Sequence, residues 1–104
     1  MSLRLDIATT ARIEADRIYA LVLPETEDEA TVRVPLPFLE NVQITGRKLE
    51  GFAPNYVRRA LEGLERTAKI RRFSRKAVVP KETLASVAAA FRIAADSAER
   101  RSTV

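Results

Sequence analysis

Pro54-Asn55-Tyr56-Val57-Arg58-Arg59-Ala60-Leu61-Glu62-Gly63-Leu64-Glu65-Arg66-Thr67 is the stretch from which the rest of the chain is read. Tyr56, Val57, Ala60, Leu61 and Leu64 follow the spacing i, i+1, i+4, i+5, i+8, a single apolar stripe of helical period. Asn55, Arg58, Arg59, Glu62 and Arg66 take the opposite face. Pro54 suits the first turn of a helix, where its missing N–H is not needed, and Gly51 stops the element before it. The spacing therefore predicts an amphipathic helix over 54–67 with a cationic outer face. On that face Glu62 stands four residues from both Arg58 and Arg66. Such pairs would neutralise part of the charge, each worth roughly 0.3–0.5 kcal/mol.

The basic character continues past the helix. Two alternating segments, Lys69 to Phe73 and Ala77 to Val79, flank Ser74-Arg75-Lys76, which is the size of a short basic β-hairpin. Residues 58–81 hold nine cations (Arg58, Arg59, Arg66, Lys69, Arg71, Arg72, Arg75, Lys76 and Lys81) against Glu62 and Glu65 alone, a net of +7. The whole chain carries only +4, because residues 1–50 have six basic and nine acidic side chains. Arginine outnumbers lysine fourteen to four, which suits planar, bidentate contacts to phosphate or carboxylate.

Composition closes most of catalysis. With 104 residues, 46% apolar and 31% charged, the chain is the size of one folded domain. It has no Cys and no His, so thiolate nucleophiles, imidazole bases, disulfides and the usual zinc sites are excluded. Asp6, Glu14 and Asp16 could share a face, but nothing marks them as a catalytic pair. Gly46-Arg47-Lys48 and Gly51 do not form a phosphate loop. We expect no enzyme activity, no metal and no cofactor. The longest apolar run, Ile18 to Leu23, is far short of the roughly 20 residues that span a bilayer. A cytoplasmic protein without membrane contact is the expectation.

Outward from this centre, the first third reads as strands. Leu3, Leu5 and Ile7 alternate with polar residues, and a helix over 7–17 is the competing reading. Residues 17–24 are β-rich and apolar on both faces, as in a buried strand closed by Pro24. Residues 25–29 form an acidic turn without the Gly or ligand spacing of a calcium loop. Val32, Val34, Leu36 and Phe38 then face one way, with Pro35 and Pro37 on the outward parity of an edge strand. Residues 38–50 suit one or two short helical turns, with Phe38, Val42 and Leu49 inward and Gly46 a weak point. Pro80 precedes a last helix over 82–100, striped by Leu84, Val87, Ala88, Phe91, Ala95 and Ala98, which packs on the domain or on a second copy. The expected fold is α+β in a single domain. It begins with a small N-terminal antiparallel sheet (1–38, β-rich and acidic), continues through helices and a basic hairpin (39–80), and closes on an Ala-rich helix (81–100).

Three features together form a recognisable pattern: the Val57-Arg58-Arg59-Ala60-Leu61 core with Leu64-Glu65, a small gap, and Ile70-Arg71-Arg72 leading into a basic hairpin. The run resembles the recognition helix and first wing strand of winged helix-turn-helix DNA-binding domains. The resemblance implies a helix lying in the major groove, with Asn55, Arg58, Arg59 and Tyr56 at the DNA. It implies Arg71, Arg72, Arg75 and Lys76 as wing contacts to the backbone, and a preceding helix over Thr45 to Glu50. A second, competing resemblance is to ribbon-helix-helix dimers, in which the strand Thr31-Val32-Arg33-Val34-Pro35 would read DNA through Thr31 and Arg33.

The expected function is a small non-catalytic nucleic-acid-binding protein, a homodimeric regulator of transcription that engages duplex DNA or another polyanion. Its contact residues would be Asn55, Arg58, Arg59, Arg66, Lys69, Arg71, Arg72, Arg75 and Lys76. The alternative is a protein-interaction module (an inhibitor, adaptor or assembly subunit) whose basic strip binds an acidic partner surface.

Overall fold

The computed structural model describes residues 3–22, 30–71, 73 and 75–102. It is mixed helix and sheet, in the order α1 (Leu3–Val22), β1 (Thr31–Pro35), α2 (Leu36–Leu49), α3 (Pro54–Thr67), β2 (Lys69–Arg71), β3 (Lys76–Pro80) and α4 (Lys81–Ser102). The α+β class holds, but the sheet is not N-terminal. Residues 3–22 form one helix where strands were expected. The reason lies in which residues go inward: Ala8, Ala11, Ala15 and Ile18 are buried, at a helical spacing built mainly from alanine. Alanine is the strongest helix former and adds little to an apolar pattern, so Leu3, Leu5 and Ile7 dominate the reading with a false alternation. The β-rich run Arg17 to Val22 stays helical because tertiary packing overrides propensity. The acidic turn at 25–29 lies outside the described residues.

Helices α1 and α4 run antiparallel and share the most extensive contact between any two elements. Their direction is fixed by cross-helix pairs. Arg12 on α1 reaches Asp96 at 2.8 Å and also pairs with Glu99, while Asp16 meets Arg92 at 3.2 Å. The Arg92 guanidinium also sits 4.4 Å from the centre of the Tyr19 ring, a cation–π contact. The bonds from Glu99 first and Asp96 second raise the Arg12 pKa above the ordinary arginine value. The α1 alanines and the α4 stripe both face the core. Leu84, Val87, Ala88, Phe91, Ala95 and Ala98 are all buried, so this stripe packs on its own domain. Phe91 is the largest fully buried side chain in the core.

The sheet is antiparallel with order β1-β3-β2. Val32 faces Val79 and Val34 faces Ala77 across one pair, and Ile70 faces Ala77 across the other. β1 is an edge strand, as Pro35 requires, but it ends there. Leu36 and Phe38 belong to the first turn of α2, with Pro35 as its N-cap in extended conformation. Pro37 fits that turn because the first helical N–H groups have no partner within the helix. The alternation from Val32 to Phe38 is thus a strand of five residues followed by a helix start that happens to keep the parity. Helix α2 is consequently 14 residues long, starting well before Thr45. Its inward residues are Leu39, Val42, Gly46 and Leu49, with Phe38 only half-buried.

Gly46 is not a weak point but a contact. A Cβ there would lie 2.7 and 2.8 Å from the two methyl carbons of Leu61 on α3. The missing side chain is what lets α2 and α3 approach, and Phe52 N–H closes the turn between them on the Leu49 carbonyl at 3.0 Å. Substituting Gly46→Val should destabilise the protein by about 1–3 kcal/mol through overpacking, despite the low helix propensity of glycine. Thermal unfolding checks this, and an unchanged Tm would show that the two helices are not in tight contact.

Candidate functional site

Helix α3 forms over the residues that its periodicity indicates. Val57, Ala60, Leu61 and Leu64 are buried, and Asn55, Arg58, Arg59, Glu62, Glu65 and Arg66 are exposed. Tyr56 departs from the expected stripe: it is 60% exposed and stands on the side of Arg59, where it lines an open groove with Ala89 and Ile93 of α4. The end of α3 is tied down locally. The Thr67 hydroxyl donates to the Gly63 carbonyl at 2.6 Å and lies 3.3 Å from the hydroxyl of Thr83 on α4. Ala68 N–H caps the Leu64 carbonyl at 2.9 Å. Only Ala68 separates the helix from β2, so helix and hairpin form one continuous basic unit.

Along the hairpin, Lys69 faces Val78 and Arg71 faces Lys76. Ala77 and Val79 are buried, which places Lys76 and Val78 on the other, solvent side of β3. Arg33 of β1 is the partner of Val78 from the opposite edge, so Arg33 and Lys69 flank Val78 on that same side. Arg33 is a cation missing from the expected set. It is counted with the acidic half by sequence position, and only the strand order β1-β3-β2 carries it to the basic surface. Its outward parity in the strand is the available signal.

Arg75 has the one positive φ among the described non-glycine residues, at 51°. Its carbonyl accepts the N–H of Leu36 at 3.1 Å, which satisfies a first-turn donor of α2. The hairpin is therefore anchored at its turn to the helix that packs on α3. A left-handed arginine costs about 1 kcal/mol, and an arginine is kept where glycine would be at ease. Arg72 lies outside the described residues.

The electrostatics separate cleanly. Ion pairs among the described residues are Arg12 with Asp96 and Glu99, Arg17 with Glu14, and Arg92 with Asp16. All lie on α1 and α4. None of them includes Arg58, Arg59, Arg66, Lys69, Arg75 or Lys76, and no side-chain hydrogen bond holds these six. The Arg58–Glu62 and Glu62–Arg66 pairs that the spacing permits are not made.

A cavity of about 140 Å³ lies between α1 and α2, lined by Asp6, Ile7, Thr10, Thr45, Lys48 and Leu49, and two larger, open depressions lie along α4, one of about 480 Å³ at Asp16, Tyr19 and Arg92 and one of about 440 Å³ at Tyr56, Arg59 and Ile93. Among the described residues no group of three or more acidic side chains could hold a metal ion, and no helix is long and apolar enough to cross a membrane. No family model, curated protein or solved structure matches this chain.

Arg75→Gly should raise Tm by a few degrees, because glycine takes the left-handed conformation without steric cost. The same substitution should weaken polyanion binding, because it removes a cation. A thermal melt and a binding titration of one variant give both signs. A fall in Tm would show that the arginine side chain stabilises the hairpin instead.

Proposed function

We propose that this chain is a non-catalytic DNA-binding domain of winged helix-turn-helix type that engages duplex DNA through α3 and the β2–β3 hairpin. The observation that carries the reading is the set of six exposed, unpaired cations on those elements. Exposed arginines near carboxylates ordinarily pair or are screened in place. Here Glu62 and Glu65 share the helix and leave them unpaired, while Glu14, Asp16, Asp96 and Glu99 pair with arginines of α1 and α4. A surface that holds positive charge unneutralised is ready to exchange condensed counterions for phosphate contacts.

The local architecture supports the same reading. A 14-residue α2, a turn over residues 50–53, a 14-residue α3 and an antiparallel hairpin follow in the order that the family resemblance implies. β1 takes its partner within the chain, on β3, which favours this form over a ribbon-helix-helix dimer. In the proposed complex Asn55, Arg58 and Arg59 meet base edges and phosphates in the major groove, and Lys69, Arg71, Arg75 and Lys76 hold the backbone beside it. Arg72 and Arg66 extend the same contact along the chain. The reading includes a cytoplasmic regulator of transcription acting as a homodimer, its two α3 helices roughly 34 Å apart in successive grooves.

Titration against random-sequence duplex at several salt concentrations tests the proposal. Five or six phosphate contacts predict a slope of log K on log salt of about −5. Arg58→Ala combined with Arg59→Ala should bring that slope nearer zero by about 2, whereas Arg17→Ala on α1 should leave it unchanged. No binding at about 50 mM salt, where such contacts are strong, would overturn the DNA reading. The surface would then fall to the alternative, an acidic protein partner.

A further inference from the structure

Phe73 stands at the turn of the β2–β3 hairpin, between strand ends Arg71 and Lys76, and is 102% exposed. Among the described residues none covers its ring. Ile70, on the same hairpin, is 62% exposed and pairs across the strands with Ala77. Single apolar residues on a surface are ordinary. Phe73 in a turn, where residues are usually small and polar, lies beside the exposed cations Arg75 and Lys76, and Ile70 lies on the face of the hairpin opposite Lys69 and Lys76, so the hairpin is an amphipathic finger.

The finger is also held in place. Arg75 is fixed in a left-handed conformation, and its carbonyl is bonded to Leu36 N–H, so the turn that carries Phe73 is tied to the start of α2. Since α2 packs on α3 across Gly46, docking α3 on a duplex would carry the hairpin to a defined place beside it. Arg75 and Lys76 beside the turn would settle on phosphates, and the ring of Phe73 would meet the interior of the neighbouring groove.

We infer that Phe73 is an apolar wedge that buries its ring against bases or sugars of the bound duplex. This rests on the DNA reading above and adds to it a contact that charge cannot supply. Apolar wedges between base steps offset the unstacking they cause by the extra surface they bury. Their signature is a contribution to affinity that salt does not screen.

The chain contains no tryptophan, so F73W introduces a single indole reporter at the turn. Its emission is followed as unlabelled duplex is added, while anisotropy of a labelled duplex reports binding independently. The expected result is emission quenched in step with binding. F73A should bind about tenfold more weakly at fixed salt, within the range of base–aromatic contacts, with the salt slope unchanged. Unaltered indole emission on a duplex that anisotropy shows to be bound would overturn the wedge and leave the DNA reading intact. Loss of affinity in F73A accompanied by a changed salt slope would overturn it also, since the residue would then act by placing cations. If no duplex binds but anionic vesicles shift the emission to the blue, both readings fail and the ring belongs to a lipid surface.

Discussion

The antiparallel packing of α1 on α4 is the interaction on which the rest depends. Alanines on both helices let the backbones come close, Phe91 and Ile18 fill the space between, and Arg12 and Arg92 bridge the rims to Asp96, Glu99 and Asp16. These surface pairs add little energy one by one, but they set direction and register. Once α1 covers one side of α4, α3 and β3 pack against α4 as well. The sheet and the α2–α3 pair are built on that spine.

This packing also decides the electrostatics. A net charge of +4 is unremarkable, and a random fold would scatter it. Here the spine takes up Glu14, Asp16, Asp96 and Glu99 in pairs with its own arginines, so those carboxylates do not reach α3 or the hairpin. Arg58, Arg59, Arg66, Lys69, Arg75 and Lys76 keep their charge exposed as a consequence of where α1 lies. Arg33 then joins them by strand order. Charge and fold are coupled in this way, and the basic surface is a product of the core.

The elements that sequence makes legible are those with a strong single period. Helix α3 is readable to the residue because Val57, Ala60, Leu61 and Leu64 stand against a fully polar opposite face, and α4 is readable from its stripe. Helix α1 is not, because its buried positions are mostly alanine, with Glu14 among them, and the larger apolar residues fall out of phase. The start of α2 is hidden by a proline on either side of Leu36, a pattern shared by edge strands and first helical turns. At the candidate site, the identity of the cations can be read, and so can their exposure on α3. Their freedom from Glu62 and Glu65, the place of Arg33, the backbone of Arg75 and the exposure of Phe73 cannot, since each depends on side-chain or backbone geometry that spacing leaves open.

The central claim is that one contiguous surface, α3 with the hairpin, binds duplex while the α1–α4 spine does not. The most direct measurement is a backbone amide chemical-shift map of the isotopically labelled protein titrated with a short duplex. The account predicts that shifts concentrate at Asn55, Arg58, Arg59, Arg66 and the β2–β3 hairpin, with α1 and the α1-facing side of α4 unmoved. Shifts centred on α1, or spread evenly over the chain, would contradict it.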